Sequence, residues 1–219
     1  MLAQRCGCEA VGVPKTAMEL ASEERIDLAA TLEALRAEDW DRQSLCQEWS
    51  VRDVVAHILS YEGLDAASLG RRFLEGRFSP DRINSVGVAT LRSRPPEELV
   101  RQLRSSGPSG LTAGFGGRIA LTDTLIHHED IRIPLGLERD VPHERLRVAL
   151  PFAMVAPPIR GAWRARGLRV IATDLDWSFG RGPEVRGRGQ AVLLAVTGRS
   201  VAAAELDGPG ADTLRRRLS

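Results

Sequence analysis

Lysine is nearly missing from this chain. Only Lys15 is one, so 29 of the 30 basic residues are arginine, a bias more in keeping with a GC-rich coding sequence than with a guanidinium-specific task. The 29 acidic residues leave a formal charge of +1, so nothing electrostatic points to nucleic acid or an anionic membrane as partner. Cysteine is scarce too. Cys6, Cys8 and Cys46 are too few and too scattered for a disulfide framework, which suits a reducing cytoplasm. Cys6-Gly-Cys8 has one intervening residue where zinc knuckles have two. No apolar run reaches the roughly eighteen residues of a membrane span, and the N-terminus lacks the basic, apolar and cleavage regions of a signal peptide. With 219 residues, 43% of them hydrophobic, the expectation is a soluble cytoplasmic protein of one or two domains with a substantial core.

Histidine is the fourth scarcity. There are four, and three fall in two short stretches, Ser50-Val-Arg-Asp-Val-Val-Ala-His57 and Asp123-Thr-Leu-Ile-His-His-Glu-Asp-Ile-Arg132. If the second is helical, Asp123 and His127 lie on one face with Cβ atoms roughly 6 Å apart. His57 on an adjacent helix would complete three nitrogen and oxygen ligands with one position open, the pattern that catalytic zinc favours. Asp123 with His127 is preferred to Thr124 with His128 because a carboxylate is a metal ligand and a neutral hydroxyl is a poor one. His128 points about 100° away around the helix, where cleft-lining, outer-shell, solvated and packing roles all stay open. Asp53 could orient His57, but its place three residues after Ser50 is better explained by helix capping. Cys46, beside Leu45 and near Trp49, reads as a buried inert thiol outside the site. No Gly-x-Ser-x-Gly elbow exists to suggest a serine triad.

Along the chain, residues 1–16 show no period and read as a disordered extension. A helix follows from Met18, its buried face running from Leu20 to Leu35. Glu38 to Trp49 reads as an ordered loop. The helix capped by Ser50 fades near Gly63 or continues to about Leu69, and a short helix is expected around Ile83 to Leu91. Pro96 opens another that Gly107-Pro108 stops. The glycine-rich run Ser109 to Gly117 lacks the Gly-Lys-Ser/Thr ending of a P-loop and reads as a flexible loop. The last helix of this half spans about Ile119 to Ile131 and ends before Pro134. Beyond residue 140 the pattern changes. A helix from Pro142 to about Ala156 precedes a strand at 168–173, a hairpin partner at 176–179, a short strand at 184–186, a helix at 191–196, a last strand or extended segment at 201–206 and a terminal helical turn at 214–218. The fold class is α+β: a helical bundle over 17–140, then a small α+β domain over 141–219.

Leu45-Cys-Gln-Glu-Trp-Ser-Val-Arg-Asp-Val-Val-Ala-His57, with Asp123-x-x-x-His127-x-x-Asp130-Ile-Arg132-x-Pro134-Leu-Gly136, resembles the DinB-like proteins of the mycothiol-dependent maleylpyruvate isomerase family. The stretch from Leu168 to Gly198 is similar to the C-terminal domain of many actinobacterial members. The resemblance implies a DinB-like four-helix bundle followed by a sterol-carrier-like unit, with a divalent metal, typically zinc, on His57, Asp123 and His127; the family often has Glu at the carboxylate position. It implies mycothiol as thiol cosubstrate, activated for addition to a small electrophile by an isomerase or S-transferase. An anionic substrate would need a cation nearby, for which Arg186 and Arg199 are the candidates. Two other classes stand beside this one: a non-catalytic metal-binding regulatory protein on the same scaffold, and a lipid or small-ligand carrier with an apolar cavity remote from His57. The electrophile and the oligomeric state are not legible.

Overall fold

Thr16 sets where the first helix begins. Its backbone N–H donates to the Glu19 carboxylate at 2.7 Å while its hydroxyl accepts from the Glu19 N–H at 3.2 Å, a reciprocal cap that satisfies two of the donors a helix start leaves open. Helix α1 (Ala17–Glu33) follows and buries Leu20, Ala21, Leu28, Ala29 and Leu32. The computed structural model describes residues 13–218, so Cys6, Cys8 and most of the expected extension lie outside the described residues. Ser50 and Asp53 form a second reciprocal cap and start α2 (Val51–Ser60), which is buried along almost its whole length. Capping is therefore what Asp53 does.

Helix α2 stops at Ser60, short of both expected ends. The chain turns through Gly63 at φ +64, a conformation glycine adopts without steric cost, and Asp65 then caps a separate α3 (Ala66–Glu75). Helices α4 (Pro80–Leu91) and α5 (Pro96–Ser105) each carry proline in the first turn, where its missing N–H costs nothing. The glycine-rich run is ordered as 3-10 turns over Gly110–Gly117, broken by non-helical Gly114, Phe115 and Gly116. The bundle consists of α1, α2, α5 and the long α6 (Arg118–Leu135), with α4 laid against α2 and α3 against α4.

The expected stop before Pro134 is wrong for a specific reason. Proline cannot donate to the carbonyl one turn back, which is that of Asp130, and the Leu45 N–H takes that oxygen at 2.9 Å instead. The carbonyl of Pro134 itself accepts from Arg42 at 3.2 Å. With both ends of the break satisfied by the 42–46 loop, α6 runs on to Leu135 and closes at Gly136, φ +70.

Beyond it come α7 (His143–Val155), α8 (Gly161–Arg164) and a three-stranded sheet: β1 (Arg169–Ala172), β2 (Trp177–Gly180) and β3 (Glu184–Gly187). The order is β2-β1-β3, with β1 antiparallel to β2 and parallel to β3; Val170 faces Phe179 on one side and Val185 on the other. Helix α9 (Gly189–Val196) follows, and α10 (Ala211–Leu218) ends the described chain. The segment expected to be extended is a 3-10 turn over Ser200–Glu205. Its consecutive alanines favour helical backbone, and on the side away from β1 the chain after it meets β3 at an isolated bridge between Arg186 and Asp207.

Two apolar clusters fill the interior. One holds the bundle, with Leu28, Trp40, Val55, Leu59, Leu99 and Ile131 among its members. The other joins Leu20, Leu121 and Leu125 of the bundle to Leu150, Val170 and Leu193 of the C-terminal half. Each such leucine is worth about 2 to 3 kcal/mol of burial, so the two halves are held by a shared core. Charge crosses the same seam: buried Glu24 meets Arg145 of α7 at 2.5 Å, besides His128 at 2.9 Å and Arg139 at 2.6 Å on its own side.

Candidate metal centre

Helices α2 and α6 each bring one face to a common point. On α6, the four-residue step places Asp123 and His127 side by side, with His127 Nε2 3.5 Å from Asp123 Oδ1. His57 arrives from the last turns of α2, its Nε2 3.7 Å from the same carboxylate oxygen. The two imidazole rings lie 4.8 Å apart, nearly edge to face. One ligand atom from each of the three residues lies within 4.8 Å of the others. The residues singled out by sequence are thus brought together.

These separations test whether a cation fits. At 3.5 and 3.7 Å the contacts are too long for hydrogen bonds. Two ligands about 2.1 Å from a tetrahedral centre, however, stand about 3.4 Å apart. Two imidazole nitrogens and one carboxylate oxygen form a donor set suited to a divalent cation such as zinc. His57 and His127 are 6% and 8% exposed, whereas the Asp123 side chain keeps 35% of its surface, so the cluster is closed below and open on the Asp123 side.

The electrostatics follow from this packing. Burial pushes the Asp123 carboxyl up, but the adjacent His127 and His57 imidazoles outweigh it and hold the group well below the usual range. His57 is lowered by burial, partly opposed by Asp123. His127 is also penalised by burial, yet Asp123 and Asp130 together raise it well above the ordinary imidazole value.

Around the three lies a supporting layer. The Asp130 carboxylate sits 2.8 Å from His127 Nδ1; with Nδ1–H donating there, Nε2 is turned toward Asp123 and would offer its lone pair to a bound cation, the orientation outer-shell carboxylates impose on metal-binding histidines. Arg199, which lies just after α9, donates from Nε and Nη2 to Asp130 at 2.9 and 2.5 Å. Trp49 packs on His57 with centroids 5.0 Å apart, and Tyr61 meets it edge-on at 5.5 Å. Beneath Tyr61 lies the Arg72 guanidinium, 3.9 Å from the ring centroid.

Some expectations of placement change. Cys46 stands beside the site: its Sγ is 3.1 Å from Asp130 Oδ2 and 3.7 Å from His127 Nδ1. Of the two candidate arginines, Arg199 reaches the centre but is committed to Asp130, while Arg186 is half-exposed and lies by Glu184 on β3. His128 is 1% exposed, sharing Glu24 and Arg139 and lying 2.9 Å from the Thr31 hydroxyl. Asp130, Tyr61 and Trp49 went unassigned. Asp130 three residues after His127 was the one local signal that could have found its role.

With this geometry in view, residues 21–105 match the family model described as the mycothiol maleylpyruvate isomerase N-terminal domain. The resemblance read from the sequence is to that same family. The matched stretch contains His57 and ends before Asp123 and His127. No curated protein matches the chain. Among solved structures, a mutant of the mycothiol-dependent maleylpyruvate isomerase superposes with a TM-score of 0.57 at 15% identity, covering 89% of this chain and 92% of that one. A second structure of the mycothiol-dependent maleylpyruvate isomerase gives 0.53 at 14% identity over the same shares. At such identities the likeness establishes the fold: a helical N-terminal part and a small α+β part in one arrangement. Among the described residues no helix is long and apolar enough to cross a membrane.

Proposed function

We propose that this protein is a metal-dependent enzyme that activates mycothiol, or a closely similar low-molecular-weight thiol, for addition to a small electrophile. The observation that carries this reading is the convergence of His57, Asp123 and His127, closed on the helix side and open on the other. The family match over 21–105 supports it. A divalent cation held there, zinc by donor type, would stabilise a thiolate at neutral pH against a free thiol pKa of about 8.5.

The chain's own groups define the rest. Asp130 holds the proton of His127 on Nδ1 and so keeps Nε2 available, while Arg199 holds Asp130 in place from the C-terminal half. Trp49 and Tyr61 wall His57 and limit water on that side. A thiolate presented at the Asp123 side could add to an unsaturated carbon. Bond rotation and elimination would then return the thiol and an isomer, whereas retention of the new bond would give an S-transfer product.

Purification without chelator, elemental analysis, and a screen for mycothiol-dependent conversion of unsaturated dicarboxylate and other small electrophiles test the reading. It requires about one divalent ion per chain and thiol-dependent turnover or thiol loss. Stoichiometric metal with no thiol chemistry across the screen would overturn it in favour of the non-catalytic class.

A further inference from the structure

Four arginines meet in the C-terminal half. Arg160, Arg164, Arg166 and Arg217 line a cavity of about 310 Å³ together with Trp163, and among the described residues no carboxylate takes part in the lining. Each guanidinium carries five donors. The hydrogen bonds they make go to backbone carbonyls: Arg164 to Val196 at 3.2 Å, Arg166 to Trp163 at 2.9 Å, Arg217 to Arg166 at 2.9 Å. Among the described residues the Arg160 side chain makes no such bond, and it starts from a left-handed backbone, φ +60. Trp163, 57% exposed, carries the Arg166 guanidinium 4.2 Å from its ring centroid and that of Arg160 at 5.9 Å.

Several surface arginines are matched by acids, as Arg188 is by Asp140 and Arg104 by Glu33; among the described residues no acid lines this cluster. Burial lowers Arg164, with Arg199 and Arg160 adding to it; burial also lowers Arg217, with Arg166 and Arg216 adding. Like charges assembled against their repulsion, anchored on carbonyls and a ring, and left with unused donors are preorganised for an anion.

We propose that this cavity is a binding site for a compact polyanion with two or more adjacent oxyanion groups, a diphosphate or a polycarboxylate. It shares no lining residue with the metal centre, although the Arg164 guanidinium abuts Gly198, the residue before Arg199.

Calorimetric titration of the full chain with inorganic pyrophosphate, and in a parallel arm with citrate, tests this against chloride at matched ionic strength. One anion is expected to saturate with one site per chain, and the tighter arm names the source. Arg160→Gln with Arg166→Gln should weaken binding at least about tenfold, the loss of one to two charge-assisted contacts. Because Arg160 makes no side-chain hydrogen bond among the described residues, Arg160→Glu alone supplies the same test should the double variant fold poorly. Pyrophosphate can also meet a metal, so the titration is repeated on His57→Ala, where binding must persist. Binding no better than chloride, binding indifferent to the arginine variants, or binding lost with His57 would each overturn the proposal.

Discussion

Arg199 grips Asp130 with two hydrogen bonds, at 2.9 and 2.5 Å, across the seam between the C-terminal half and the helix that carries His127. Asp130 is fully buried, and burial alone would raise its carboxyl. Arg199 and then His127 reverse this and hold it well below the usual range. The pair therefore ties the closing of the two halves to the orientation of one imidazole.

Arg199→Met should separate those two roles from simple packing. Removing one partner of a buried ion pair costs about 3 to 5 kcal/mol, and loss of an outer-shell carboxylate's geometry lowers metal affinity about 10- to 100-fold. The expected result is a protein that melts earlier and retains less metal after dialysis, with Asp130→Asn showing the metal defect as well. Full metal retention in both variants would remove Asp130 from the centre.

Alanine at His57, Asp123 or His127 should each abolish metal retention and thiol-dependent turnover together. Asp123→Glu is the instructive variant, since the longer side chain starts from the same helix face and can still present an oxygen. It should keep metal while changing turnover. Elemental analysis alongside circular dichroism distinguishes ligand loss from unfolding.

What could be read from the sequence was what repeats locally. The step from Asp123 to His127 is one helical turn and the Ser50 cap spans three residues, so their shared helix face and that helix start were legible; Thr16, placed in the extension, caps the first helix instead. Arg199 stands 69 residues after Asp130, and Glu24 stands 104 residues before His128; no period links such pairs. Pro134 was misleading for the same reason. Its penalty is set by the helix, but its rescue comes from the Leu45 N–H in a distant loop. The end of α2 failed differently, because an apolar pattern that resumes after Gly63 looks the same whether the chain turns there or continues.

Acid should unfold the seam in a defined window. Burial opposes ionisation of Glu24, yet His128 and Arg139 bring its carboxyl down from 4.5 to about 2. A depressed folded value means the stabilisation is complete above pH 4.5 and disappears as the pH falls through 2, a swing on the order of 3 kcal/mol. Urea midpoints measured from pH 6 downward should therefore fall steeply for the native protein below about pH 4.5. In Glu24→Gln, less stable at neutral pH because Arg139 and Arg145 lose their shared partner, that slope should be shallower, the remainder coming from Asp123 and Asp130, which are also held below the usual range. Parallel curves for the two proteins would show that other carboxyls govern the transition.

Cys46 decides between two ways of holding the cation. Cys46, His127 and Asp130 also bring ligand atoms within 4.8 Å of one another, and this alternative would use Nδ1 of His127 where the other set uses Nε2. One ring orientation turns Nδ1 to Asp130 at 2.8 Å and Nε2 to Asp123 at 3.5 Å, so a single cation sits on one side of the ring or the other. Asp130 is also already satisfied by the Arg199 guanidinium, which neutralises the charge a cation would seek and occupies both oxygens. The physical balance favours the side of Asp123, whose side chain keeps 35% of its surface and, among the described residues, forms no ion pair with an arginine. Cys46→Ser is accordingly expected to leave metal content at the native level, the hydroxyl replacing the thiol as donor to Asp130, while Asp123→Ala empties the protein of metal. The opposite pattern, with metal lost from the serine variant and kept by the alanine one, would move the centre one helix turn along α6 and close it to any incoming thiol.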